Sequence, residues 1–169
     1  RIIDSDDREV PLEEVGKLLV RGFHTDARFL NNPELDARRR VNGYFDLQEL
    51  GKRDKDGNIV LMGREHDLII RGGQNIFPAD VEAALSQHPN IVEVAVIGIP
   101  DAEMGELVCA FVVCGKGKPV ELIEIKSFLE AKGLARFKWP ERIEIVKSLP
   151  RVASGYKIDK KKLREDFSP

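Results

Sequence analysis

Residues Gly63 to Glu82 read GREHDLIIRGGQNIFPADVE, and their order restricts the fold more than any other stretch of the chain. A polar Gly-Arg start leads into the apolar run Leu68-Ile69-Ile70, then Gly72-Gly73, then a segment opened by Pro78. Paired glycines admit the backbone of a tight turn, and proline suits the first position of a helix. Behind Pro78, Val81, Ala84, Leu85 and His88 fall on one face at helical spacing. Strand, turn and helix therefore follow one another without a spacer.

The rest of the chain is organised around this stretch. Ile2-Ile3, a polar turn at Ser5 to Arg8 and Gly16 to Gly22 read as a hairpin with no helix to cover it, so it belongs to a barrel or sheet whose other strands lie elsewhere. Asn31 to Val41 reads as a charged helical connector. Gly43 to Leu50 leads to a turn with an Asp-Gly dipeptide at Asp56-Gly57, and Asn58 to Met62 is a short strand. Later come strands at Val92–Ile97 and Leu107–Cys114, a helix carrying Leu122, Ile125, Phe128 and Leu129 that stops at Gly133, and a strand at Ile143–Val146. Leu107–Cys114 is apolar on both faces and is placed at the centre of its sheet. The fold class is α+β, with residues 67–169 a small self-contained domain of mixed sheet and flanking helices, and residues 1–66 the β-rich end of a larger domain.

Composition narrows the function classes. Lys and Arg number 27 against 29 Asp and Glu, so no field of one sign favours nucleic acid. No apolar run approaches the ~20 residues that a spanning helix needs, and Arg1-Ile2-Ile3-Asp4 has no signal-peptide layout, which leaves the cytoplasm as the default. Cys109 and Cys114 are five apart in one apolar run, so on a strand they face opposite sides as buried, reduced thiols that cannot bridge. The basic run Lys157 to Arg164, taken alone, reads as a solvated tail. No His/Cys/Asp spacing suggests a metal held by protein alone.

Taken together, GREHDLIIRGGQNIFPADVE, Ile99-Pro100-Asp101-Ala102-Glu103-Met104-Gly105-Glu106, Phe137-Lys138-Trp139-Pro140 and LPRVASGYKIDK at Leu149 to Lys160 resemble the C-terminal third of the acyl- and aryl-acid adenylating enzymes, the superfamily of acyl-CoA synthetases, carrier-protein adenylation domains and luciferases. The resemblance implies roles residue by residue. Arg64 falls where that family bonds the ribose and phosphates, and an arginine supplies a fork of donors that stays charged. His66 falls at the hinge residue, usually Asp or Lys, about which the C-terminal domain swings between two poses. Gly72, Gly73 and Gln74 fall in the loop that lines the passage of a pantetheine thiol. Lys157 falls at the adenylating lysine, displaced by one position because Tyr156 intervenes after Gly155; such a charge stabilises the anionic transition state when docked. Glu49 keeps a carboxylate where the family has Thr-Gly-Asp and this chain has Leu47-Gln48-Glu49, a departure shared by Phe23, where Arg-Gly-Pro is usual. Trp139 is read as core.

The implied reaction is that of an ATP-dependent carboxylic acid–CoA ligase. An acyl-adenylate forms from a small carboxylic acid and ATP with release of pyrophosphate, Mg²⁺ arriving on the nucleotide, and coenzyme A then yields a thioester and AMP. These residues alone are not expected to catalyse it, because the phosphate loop and acid pocket are not among them. Two alternatives stand beside this reading: an enzyme that loads a carrier protein, and a non-catalytic adenylation-like binding module, which the Leu47-Gln48-Glu49 change permits.

Overall fold

The computed structural model describes residues 1–26 and 28–167. It divides into two compact units, Arg1–His66 and Asp67–Pro169.

The first unit contains β1 (Ile2–Ile3), β2 (Val15–Val20), α1 (Pro33–Arg38), β3 (Arg40–Val41), β4 (Tyr44–Arg53) and β5 (Ile59–Arg64). All its strand pairs are antiparallel, in the order β1-β2-β4-β3 with β5 also on β4. Ile2, Ile3, Leu18 and Leu19 are its buried apolar residues. The hairpin expected from Ile2-Ile3 and the following strand is present. β4 of the same chain also pairs along β2. The helical connector is also shorter than expected: α1 stops at Arg38, and Arg40–Val41 turn back to pair with Tyr44 and Phe45. Asp54 closes the next turn, its carboxylate accepting the Asp56 and Asn58 amides.

The second unit contains β6 (Ile69–Arg71), β7 (Gln74–Ile76), α2 (Pro78–Leu85), β8 (Ile91–Asp101), β9 (Gly105–Cys114), α3 (Leu122–Ala131), β10 (Arg142–Ile145) and α4 (Lys160–Phe167). It is the mixed sheet with flanking helices that the sequence predicts. β9 is central, antiparallel to β8 along its length and, on the other edge, parallel to β10 at residues 109–112 and paired with β6 at Gly105. Its period-two alternation serves two cores. Val108, Ala110 and Val112 join Ile69, Ile76, Val81, Leu85, Ile125 and Leu129. Cys109 and Phe111 join Ala95, Ile97, Leu149 and Leu163. Burying both faces of one strand is what makes LVCAFVVC nearly continuous in apolar residues.

Three expectations change. The basic run after Lys157 is not a solvated tail, because residues 160–167 form α4, with Leu163 buried and the Phe167 ring 4.5 Å from that of Phe111. Leu163 and Phe167 are four apart, one helical face, and the surrounding charges hid that spacing. Gln74 is the first residue of β7 rather than part of an open loop. Cys109 and Cys114 do face opposite cores as free thiols, but only Cys109 is buried and Cys114 is half-buried.

Candidate functional site

In the first unit the strand register brings two of the predicted residues together. Glu49 on β4 lies directly opposite Arg64 on β5, with Arg64 Nε 3.5 Å from Glu49 Oε1 and both side chains half-exposed. A bulge presents them. Between the pairs Lys17↔Leu50 and Leu19↔Asp46, β4 carries two residues more than β2, so Leu47, Gln48 and Glu49 stand out of the ladder with β2. Bulges of this kind re-aim side chains beside binding sites. Gln48 holds φ at 56°. Below the bulge, the buried Asp46 carboxylate accepts the Gln48 amide at 2.7 Å and lies 3.8 Å from Lys17 Nζ, which also reaches Glu65 at 3.2 Å. The exposed His66 follows in a single 3₁₀ turn, Glu65–Asp67, at the end of the first unit.

In the second unit Gly72 and Gly73 form the two-residue turn between β6 and β7, with φ of 54° and 78°. The left-handed backbone favours glycine there, and the Gly72 amide donates to Met104 O at 2.8 Å with the flexible Met104 methyl lying in the space above it. Met104 is held in turn by Asp101, whose Oδ1 accepts the Glu103 and Met104 amides. Arg71, just before the glycines, lies 2.5 Å from Glu141 Oε1, an ion pair whose N–H direction misses the oxygen. Glu141 Oε2 accepts the Val108 amide, which ties this pair to the central strand.

Lys157 lies in an exposed loop closed by a bridge between Arg151 and Ile158, with the Val152 amide donating to Lys157 O at 2.9 Å. Arg151 clamps the loop by donating to Tyr156 O and to the carboxylate of Glu93 near the start of β8. The neighbouring lysines are engaged, Lys160 with Glu82 at 2.7 Å and Lys161 with Glu165 at 3.6 Å. Among the described residues Lys157 forms no ion pair, and the adjacent Tyr156 is 92% exposed.

The two loops of the second unit are therefore anchored at opposite ends of one strand. The Gly72 turn rests on residues that follow Asp101, and the Lys157 loop is clamped to Glu93. At ~3.3 Å per residue these anchors are roughly 25 Å apart.

Trp139 packs against the core under α2 and α3, its Nε1 donating to Leu134 O at 2.7 Å. Burial pushes the Cys109 thiol up to about 12. Among the described residues no group of three or more His, Cys, Asp or Glu is arranged to hold a metal ion, and no helix is long and apolar enough to cross a membrane. The sequence reading missed Arg39, Glu93, Met104 and Arg151, all of which support the expected residues from other elements. None carries a helical or strand signal of its own: Glu93, Met104 and Arg151 are defined by partners distant in the chain, and Arg39 by the shape of a bulge seven to nine residues on.

Comparison with known proteins gives the family. Residues 80–156 match the AMP-binding enzyme C-terminal domain, a segment that ends one residue before Lys157. Over 166 residues the chain is 42% identical to pyochelin synthase PchD of Pseudomonas aeruginosa, covering 98% of this chain and 30% of that protein. It is 40% identical over 165 residues to 2-hydroxy-7-methoxy-5-methyl-1-naphthoate–CoA ligase of Streptomyces carzinostaticus, covering 97% of this chain and 29% of that protein. The solved structure of o-succinylbenzoate CoA synthetase (MenE) from Bacillus subtilis, in complex with the acyl-adenylate intermediate OSB-AMP, superposes with a TM-score of 0.85 at 30% identity, covering 96% of this chain and 33% of that one. The chain thus spans about a third or less of the length of these relatives. On its sequence and on its fold, it belongs to the adenylate-forming enzymes and carries their AMP-binding enzyme C-terminal domain.

Proposed function

We propose that this chain works within an ATP-dependent acid–thiol ligase, as the end of its large domain (residues 1–66) and its mobile C-terminal domain (residues 67–169). In the first half-reaction a carboxylate oxygen attacks the α-phosphorus of ATP, giving acyl-adenylate and pyrophosphate. In the second, a thiol attacks the acyl carbon, giving a thioester and AMP. Glu49 accepts hydrogen bonds from the ribose hydroxyls, and Arg64 donates to ribose and phosphate. Mg²⁺ arrives with ATP and neutralises phosphate charge. Lys157 meets the negative charge that builds between carboxylate and α-phosphate, for which an unpaired ammonium on an exposed loop is suited. Gly72 and Gly73, with Gln74 behind them, line the passage of the thiol arm, since a turn without side chains admits a thin ligand. His66 is the pivot between the two poses.

One observation carries this reading: the lysine loop and the glycine turn sit at opposite ends of β8, so a single rigid domain offers two working surfaces, one for each half-reaction. The thiol is assigned to coenzyme A, consistent with the CoA ligases among the relatives. We place the enzyme in the cytoplasm, where its two free cysteines stay reduced.

The test uses the full-length enzyme. Lys157→Ala should lower carboxylate-dependent exchange of pyrophosphate into ATP by about 10²- to 10³-fold, while thioester formation from added acyl-adenylate persists. Equal loss of both half-reactions would reject the assignment. Supplying coenzyme A and a phosphopantetheinyl carrier protein in parallel decides between the two acceptors.

A further inference from the structure

Among the described residues, Gln48 is the one non-glycine residue inside a strand with a left-handed backbone. That conformation is unfavourable for a side chain with a β-carbon and persists only where surrounding contacts over-determine it. Here the contacts are explicit. The Asp46 carboxylate accepts the Gln48 amide at 2.7 Å, and Arg39 Nη1 donates to Gln48 Oε1 at 2.8 Å. The same guanidinium donates through Nε to Asp46 O at 2.8 Å, and the Asp46 amide returns a bond to Arg39 O. It also lies over the rings of Phe45 and Phe29, at 5.0 and 5.9 Å from their centres. A planar fork with two fixed donors and an aromatic bed is a geometry that lysine cannot reproduce.

Gln48 immediately precedes Glu49, so its backbone torsions set the direction in which Glu49 leaves the bulge toward Arg64. Arg39 itself is fixed at the end of α1, its amide donating to Leu35 O at 3.0 Å. We propose that Arg39 is a positioning residue of the nucleotide site: by clamping Gln48 and Asp46 it holds the bulge in the shape that aims Glu49. The inference rests on the reading of Glu49 as a nucleotide ligand. It makes Arg39 and Gln48 a coupled pair, in which the arginine supports a conformation that glycine would adopt without help.

The experiment is a double-mutant cycle in the full-length enzyme. Arg39→Met, which keeps the stem but removes the fork, should raise the KM for ATP in pyrophosphate exchange by about tenfold with a much smaller change in kcat. Adding Gln48→Gly in that background should recover most of the loss. A merely structural arginine would not be rescued by a glycine nine residues away. An unchanged KM in Arg39→Met, or a raised KM that Gln48→Gly does not repair, overturns the proposal. Glu49→Ala tests the underlying reading separately: if it leaves the KM for ATP unchanged, the nucleotide role of Glu49 fails. The clamp is then judged by denaturant unfolding of the full-length enzyme, where Arg39→Met should lower the folding equilibrium constant about tenfold more with Gln48 in place than in the Gln48→Gly background. Equal losses in the two backgrounds overturn it.

Discussion

The methyl group of Met104 occupies the place where a side chain on Gly72 would begin: a β-carbon at Gly72 would lie 2.6 Å from Met104 Cε. Gly72 also holds φ at 54°. Gly72→Ala is therefore expected to lower the stability of the chain by about 1 kcal/mol in denaturant unfolding, chiefly through backbone strain, with a smaller steric part because the flexible Met104 tip can turn aside. Met104→Ala in the same chain should recover the steric part. Undiminished stability of Gly72→Ala would mean that the turn has room to relax. In the full-length enzyme the substitution should slow thioester formation and leave pyrophosphate exchange largely intact.

Arg151 links the Lys157 loop to β8 through Glu93 and holds the Tyr156 carbonyl. Both partners are half-exposed, so their contribution to overall stability is small, about 0–1 kcal/mol. Their effect on catalysis should be larger, because a lysine misplaced by about 1 Å can lose on the order of 10²-fold in rate. Glu93→Gln and Arg151→Ala are expected to depress adenylation while leaving thioester formation from supplied acyl-adenylate unaffected, and Arg151→Lys should rescue only weakly. Parallel loss in both assays would assign the pair to folding alone.

The two cysteines should differ in reactivity. Burial raises the Cys109 thiol to about 12, so it stays protonated at pH 8 and should resist iodoacetamide in the native chain, while the half-buried Cys114 is alkylated first. Mass spectrometry of the labelled peptide distinguishes them. Since the folded pKa lies above the ordinary thiol value, the favourable neutral form is fully present below about pH 9 and stability falls as pH rises from there toward 12. Replacing Cys109 by Ala should remove that alkaline slope, and a slope that survives the substitution would trace it to other groups.

Proline at His66 would fix the torsion of the short Glu65–Asp67 turn and restrict Glu65 before it. His66→Pro in the full-length enzyme should retain one half-reaction and reduce the other by at least about tenfold, whereas His66→Ala should retain both, since a pivot needs soft torsions rather than an imidazole. Impairment of both half-reactions by the alanine would point to a chemical role for the ring.

Much of the second unit was legible from local pattern. The continuous apolar run Leu107 to Cys114 placed a central strand, Pro78 opened α2, and Gly133 closed α3. The glycine pair likewise marked a tight turn, but not that β7 begins at Gln74 directly behind it with no open loop. The charged surroundings of Leu163 and Phe167 concealed α4, since two apolar residues mark a face only when a neighbouring strand offers Phe111 to receive them.

By itself, the sequence determined the kinds of element and the order of motifs, because backbone preferences and side-chain periodicity act over two to four residues. Only the tertiary structure decided that Glu49 faces Arg64, that Arg39 clamps Gln48, that Met104 roofs Gly72, and that Arg151 reaches Glu93 across 58 residues of chain. The first follows from strand register and the others from how turns and loops pack onto the strands, and both are selected by which faces the elements bury together. Information of that kind belongs to the assembled sheets and not to any short window of the chain.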